Sequence, residues 1–317
     1  MKTIEELSLK LKKEKSVAII CHVRPDGDTL GSALALFHAL NNLGIKAKVF
    51  CDDTVPSRFF FLKSAEFVES NLSGEFSAML AIDCADLTRL GDFYEAFSKH
   101  KNTYVLDHHV SNTRFAKENV VIDNASNSEN VLALIESLNA EITTEIANLL
   151  AMGIMTDTGN FKHKNVTANT MRSASKLIEK GADLNNIHYH MFSKQTKQRA
   201  KLFGITMSKI RYFLDDRFAV ASILESQLIE SGAKRDETEG FIDFVMGIEG
   251  VEVGACILEM DKNKYKISFR SKGTDVNAVA GTFGGGGHVL ASGCQIQGEY
   301  EEVVDKICFA VSRHIKD

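Results

Sequence analysis

Four short, largely apolar runs recur in the first third of this 317-residue chain: Ser16–Cys21, Ala47–Phe50, Ala78–Ile82 and Thr103–Leu106. Runs this short suit strands buried on both faces and are too short for core helices. Between the first two, Leu30, Leu34, Phe37, Leu40 and Leu43 recur at steps of three and four, a helical stripe that Gly44 is placed to end. Strand, helix, strand in that order is a βαβ unit, which is right-handed and belongs to a parallel sheet. The N-terminal part is therefore restricted to an α/β fold. Further helical patterns cover about Ser128–Leu138, Thr143–Ile154 and Thr167–Lys180.

After Gly181 the character changes. Asn186 to Tyr212 is polar and helix-compatible, with Lys194, Lys197, Arg199, Lys201, Lys209 and Arg211, and reads as a solvated linker helix rather than a phosphate-facing strip. Beyond it, Arg217–Ile223 reads as a strand, and Val251–Met260 and Lys264–Phe269 bracket a hairpin turn at Asp261-Lys262-Asn263. The expected layout is a larger, mostly parallel α/β domain over 1–187, a helical linker over 188–212 and a smaller α+β domain over 213–317. Met1–Lys15 mixes glutamates with lysines and reads as a short amphipathic helix, not a signal peptide. No run of about 18 apolar residues exists, so no membrane span is expected. Six cysteines are scattered without a CxxC pair, which reads as reduced core thiols in a cytoplasmic setting.

The chemistry gathers where these runs end, the place at which open α/β sheets hold their ligands. His22-Val23-Arg24-Pro25-Asp26-Gly27-Asp28 follows the first run, Asp83-Cys84-Ala85-Asp86 the third, and Asp107-His108-His109 the fourth. Asp157 sits at the end of a helical pattern in Gly153–Phe161. One such aspartate is ordinarily a cap or a turn residue. Four clusters are harder to explain so, because carboxylates crowded in one crevice repel unless a cation neutralises them. Mixed Asp and His without paired thiolates suits Mn²⁺, and less well Mg²⁺ or Zn²⁺. The donors outnumber what one ion needs, so two ions sharing a carboxylate fit better, and such a pair clamps phosphate.

In the C-terminal part, Arg270 ends a predicted strand and Gly284-Gly285-Gly286-Gly287-His288 follows. Packing gives no reason for consecutive glycines, whereas a bare backbone lets N–H groups approach an anion or a base. The run is expected to be a ligand-binding loop embedded in structure.

These residues carry a resemblance. The four clusters resemble the motifs of the DHH phosphoesterase superfamily, named for the triplet at Asp107-His108-His109, and Arg270-Ser271 with Gly284–His288 and Ala291-Ser292-Gly293 is similar to its companion DHHA1 domain. The motifs run in order from His22 to about Gly293, and the bare DHH–DHHA1 layout is most similar to NrnA-like oligoribonucleases that also dephosphorylate 3′-phosphoadenosine 5′-phosphate (pAp). That resemblance implies one Mn²⁺ on His22, Asp26 and Asp83, and a second on Asp28, the bridging Asp83, His108 and Asp157. It implies His109 against the scissile phosphate with Asp107 behind it. It implies Arg270, Ser271, Gly285, Gly286, Gly287 and His288 on the nucleotide's terminal phosphate or base. Ser292 stands where the family commonly has Ala, and Arg24 is a second small departure.

Short RNA and pAp are thus the expected substrates, with no membrane and no long duplex nucleic acid as partner, and a homodimer admitted. Linear dinucleotides (pApA, pGpG), pyrophosphate or polyphosphate turnover, and nucleotide sensing without catalysis are the rival readings. The net charge of −5 taken alone disfavours nucleic acid, but two divalent ions on the four aspartates bring it close to neutral, which suits short substrates rather than long ones. His38 reads as a structural or surface residue, His163, His188, His190 and His314 lack partners at metal spacing, and Asn112 is set aside as a loop residue.

Overall fold

The structure, a computed structural model, describes residues 3–315; the outermost residues of both expected terminal segments, 1–2 and 316–317, lie outside the described residues. The chain divides between Lys194 and Gln195 into two compact units.

In the first unit the four apolar runs are strands β1 (Ser16–Ile20), β2 (Lys46–Phe50), β4 (Ala78–Ile82) and β5 (Thr103–Asp107), joined by the short β3 (Val68–Glu69) and β6 (Glu118–Val121). Their order is β3-β2-β1-β4-β5-β6, and every neighbouring pair is parallel. Helices α1 (Ile4–Leu11), α2 (Gly27–Asn42), α3 (Tyr94–Lys99), α4 (Asn127–Leu138), α5 (Thr144–Asp157), α6 (Ala168–Glu179) and α7 (Leu184–His188) complete it. Alternation along β1 sends Val17 and Ile19 into a core with Leu34, Leu134 and Leu150, while Ala18 and Ile20 enter a second core with Phe93 and Phe97. Both faces of the sheet are thus covered, as an all-parallel sheet requires. The chain leaves β1 for β2 on one side and returns to β4 on the other, so the carboxyl ends of β1 and β4 flank a topological switch point.

Helix α2 starts at that point because Asp26 caps it, accepting hydrogen bonds from the Asp28 and Thr29 amides at 3.1 and 3.0 Å. It ends at Gly44, whose φ of +79° is easy only for glycine. Glycines also set how closely α2 meets α5. A Cβ on Gly31 would strike the Leu149 carbonyl, and one on Gly153 would strike Ser128 and the Asp28 carboxylate. This close crossing brings the end of α5, with Asp157, to the start of α2.

The second unit is α+β. Strands β7 (Arg211–Phe213), β8 (Phe218–Ile223), β9 (Val253–Asp261), β10 (Lys264–Ser271), β11 (Gly286–His288) and β12 (Ala291–Gln297) form one sheet in the order β11-β12-β10-β9-β8-β7. Only β8 and β9 pair in parallel. Helices α8 (Lys197–Met207), α9 (Glu225–Ser231), α10 (Phe241–Met246), α11 (Val276–Gly281) and α12 (Tyr300–Ser312) pack on it. The hairpin turns at Asn263, which adopts φ +57°.

Two expectations change. The stretch 188–212 is not one helix: a π-helical turn at Tyr189–Ser193 follows α7, Lys194 is extended, α8 starts at Lys197 under a Thr196 cap, and Arg211 already belongs to β7. The glycine run, expected to be an embedded loop that packing does not explain, is in part a strand, and packing does explain part of it. Gly286–His288 is an edge strand on β12, where a Cβ on Gly285 would strike the Gly293 carbonyl and Cys294, and one on Gly287 would come within 2.6 Å of the Ala291 carbonyl. A Cβ on Gly286 would make only an ordinary contact, 3.7 Å from Asn277 Oδ1. Ser292, the departure from the family's Ala, is buried and donates its hydroxyl to the Val276 carbonyl.

Candidate metal centre

Four sequence-distant segments meet at the switch point. His22 follows β1, Asp83 follows β4 with a φ of +54°, and His108 follows β5. Asp26 and Asp28 come from the start of α2, and Asp157 from the end of α5. Asp83 is the hub. Its Oδ2 lies 3.6 Å from His22 Nε2, and its Oδ1 lies 3.4 Å from His108 Nε2. Asp26 Oδ2 stands 3.7 Å from His22 Nε2, and Asp157 Oδ2 stands 3.3 Å from His108 Nε2. The donors of His22, Asp26 and Asp83 fall within 4.8 Å of one another, as do those of Asp28, His108 and Asp157. Asp83, His108 and His109 form a third such group.

Each ring is turned by its far nitrogen. His22 Nδ1 donates to the Val23 carbonyl at 2.8 Å, and His108 Nδ1 to the Asn124 carbonyl at 3.0 Å, so both present Nε2 to the centre. His109 differs: its Nδ1 faces Asp107 Oδ1 at 2.8 Å, which leaves its Nε2 free. Asp107 is fully buried and its other oxygen accepts from Asn112 Nδ2 at 2.6 Å.

The electrostatics record the crowding. Burial, then the charges of Asp28 and Asp83, push the Asp157 carboxyl up to about 9. Burial and Asp83 push Asp28 up to about 7. Burial alone would lower His22 and His108, but the carboxylates around them prevail and raise them to about 9 and about 10. Asp83, despite its burial, is held below the usual carboxylate range by those two rings. Protons thus do the neutralising that a cation would do. A divalent cation fits this donor set: the ligands are hard oxygen and imidazole, and the buried Asp83 Oδ1 accepts no hydrogen bond among the described residues.

In the second unit, Arg270 is the last residue but one of β10, with Lys266 and Ser268 on the same side of the strand. All three line a cavity of about 420 Å³ that Arg235 also enters. The Ser271 hydroxyl is turned to the Thr274 carbonyl, and Gly286, Gly287 and His288 are exposed.

Known proteins resemble this chain in sequence and fold. Residues 16–154 match the model of the DHH family, N-terminal domain, and residues 215–317 that of the DHHA1 domain. The Bifunctional oligoribonuclease and PAP phosphatase NrnA of Thermus thermophilus is 32% identical, over 93% of this chain and 90% of that protein. This chain belongs to the DHH family. The NrnA protein of Bacillus subtilis, carrying the same description, is 27% identical over 93% of each chain. Among solved structures, an exopolyphosphatase-related protein from Bacteroides fragilis superposes with a TM-score of 0.83 at 25% identity, covering 98% of this chain and 95% of that one. DHH proteins are phosphoesterases, and the triplet at the end of β5 is the one that names them.

Several DHH-centre residues escape sequence reasoning. Thr29 donates its hydroxyl to Asp83 Oδ2 at 2.6 Å, and the Asn127 and Ser128 amides donate to the two Asp28 oxygens at 2.5 and 2.9 Å. The Arg89 guanidinium stands 3.0 Å from His22 Nδ1. Asn112, set aside as a loop residue, holds Asp107. The one available signal is the polar run Ser126-Asn127-Ser128-Glu129-Asn130 opening a helix, and all five residues are buried. His38 lies away from the centre, bonded to Ser64 Oγ at 2.7 Å in a structural role.

Proposed function

We propose that this chain is a divalent-metal-dependent phosphoesterase that releases 5′-mononucleotides from RNAs of a few nucleotides and phosphate from pAp. The observation that carries the reading is the pair of donor sets, one containing Asp83 and the other reaching it through His108 at 3.4 Å, in a chain similar along nearly its whole length to proteins described as bifunctional oligoribonuclease and PAP phosphatase. His22, Asp26 and Asp83 would hold one ion; Asp28, Asp83, His108 and Asp157 would hold the other. Two divalent cations supply Lewis acidity toward phosphoryl oxygens and a water-derived nucleophile at neutral pH. Oxygen and imidazole donors without thiolate favour Mn²⁺.

The chain's own groups do the rest. Asp107 holds His109 through Nδ1–H and favours the protonated ring, so the Nε2–H of the imidazolium is the group that meets the phosphate and hands its proton to the leaving oxygen, leaving His109 neutral. Arg270 brings a guanidinium fork suited to a terminal phosphate, with Ser271, Gly285, Gly286, Gly287 and His288 as its partners on phosphate or base. A cytoplasmic setting accords with cysteines that are all free and mostly buried. Among the described residues, no helix is long and apolar enough to cross a membrane.

One assay panel tests the reading: pAp, pApA, pGpG, a pentanucleotide RNA, a long RNA and pyrophosphate, each with Mn²⁺ and with Mg²⁺. Turnover of pAp and the short RNAs is expected, and Asp83→Ala should abolish it. Hydrolysis of pyrophosphate alone, or dinucleotide turnover retained by Asp83→Ala, would sink the reading.

A further inference from the structure

We infer that Asn130 is a positioning residue for the metal centre, acting with Asn124 to hold His108 and Asp28 in register. The inference rests on the metal-centre reading above and assigns a role to residues outside every proposed ligand set.

Asn130 lies in the first turn of α4 and is fully buried. A buried amide is costly unless its polar atoms are met, and here each is met by a segment that carries part of the centre. Its Nδ2 reaches the Asp107 carbonyl at 3.2 Å, the Ile122 carbonyl at 3.1 Å and Asn127 Oδ1 at 3.3 Å. Its Oδ1 accepts from Asn124 Nδ2 at 2.7 Å. The Asn124 carbonyl is the group that receives His108 Nδ1. Asn127, the third amide, gives its backbone N–H to Asp28.

One side chain therefore ties together the end of β5, the segment after β6 and the start of α4. Two of the three donors in the Asp28, His108 and Asp157 group are oriented through it. The His22, Asp26 and Asp83 group touches none of these bonds, since His22 is turned by the Val23 carbonyl and Asp26 by the start of α2. The effect of losing Asn130 should accordingly be selective for one ion.

Asn130→Leu removes the amide at similar volume. Both carbonyls it served keep a backbone donor, Ile122 N on the Asp107 carbonyl at 3.0 Å and Asn124 N on the Ile122 carbonyl at 2.8 Å. Asn124→Ala is the second variant: it cuts the same bond from the other side and leaves the carbonyl on His108.

The experiment is Mn²⁺ titration of the metal-stripped full chain by calorimetry, with thermal melts of the metal-free proteins alongside. Wild type should bind two Mn²⁺. Each variant should keep one site unchanged and weaken the other about 10–100-fold, the usual effect of losing a group that orients a metal ligand. Raised Mn²⁺ should then restore dinucleotide turnover. Should Asn130→Leu fail to fold, Asn124→Ala decides alone. Unchanged affinity at both sites, or equal weakening of both, overturns the inference even if melting temperatures fall. Absence of Mn²⁺ uptake by wild type overturns the metal-centre reading and this inference together.

Discussion

His22 and His108 are aimed from behind by backbone carbonyls, and His109 by a buried carboxylate. That difference separates two would-be metal donors from a would-be acid, although all three are imidazoles following a strand. Replacing His109 with Ala should lower kcat on a dinucleotide by about 10²–10⁴-fold, the usual worth of a general acid, while Mn²⁺ stoichiometry stays unchanged. A loss of bound Mn²⁺ in His109→Ala would instead make it a ligand, through the group it forms with Asp83 and His108. The proton inventory yields a pH prediction. Without metal, His22, His108 and Asp157 hold protons up to about 9, about 10 and about 9, and Asp28 up to about 7. An ion binds only their deprotonated forms, so Mn²⁺ affinity should rise from neutral pH towards about 10, and binding should release protons. Calorimetry in buffers of different ionisation enthalpy reads that release directly, and a buffer-independent heat would contradict it. His22, Asp26, Asp83, His108 and Asp157 are legible in the sequence because each punctuates an apolar or helical pattern. Thr29 and Arg89 are not, since nothing in their local sequence distinguishes them from ordinary helix or loop residues, and Asn130 shows only as part of the polar run that opens α4.

At the scale of elements, strands β1, β2, β4 and β5 are legible because a parallel strand buried on both faces must be a short apolar run. The edge strands β3 and β6 carry no such run and leave no comparable trace. The seam between α2 and α5 is the element-level device that builds the centre, and it depends on glycine. Gly153→Ala would press a methyl group against Ser128 and Asp28. A cost of about 1–3 kcal/mol is expected from such overpacking, together with weaker Mn²⁺ binding, as read by urea melts and titration. Gly204 in α8 is the contrast: a Cβ there meets nothing within 4 Å. Gly204→Ala should stabilise by about 0.5–1 kcal/mol, because alanine loses less entropy than glycine in a helix; the same urea melts read it. The glycine run before β12 carries the opposite lesson. Its composition suggests a loop, whereas a hairpin edge lying close to β12 also selects glycine.

At the scale of the whole molecule, metal and fold are linked. A ligand that binds only the folded chain stabilises it by about 2.7 kcal/mol at a hundred times its Kd. Chelation should therefore lower the melting temperature and added Mn²⁺ should restore it; a melting temperature indifferent to Mn²⁺ would count against a resident metal centre. The net charge of −5, which the two proposed divalent ions would bring close to neutral, leaves no broad basic surface to be expected. Long RNA should then bind weakly, and its affinity should fall little with salt. Local sequence suffices for the fold class of both parts and for the identities of the titratable groups, because hydrophobic period and strand-end position are local properties. How those groups face one another is settled by the fold alone: which of them share Asp83, which ring turns which nitrogen inward, and which amides lock them. Those relations depend on a strand order and a helix crossing that join residues 100 positions apart, as Asp28 and Ser128 are, and no local pattern encodes such a distance.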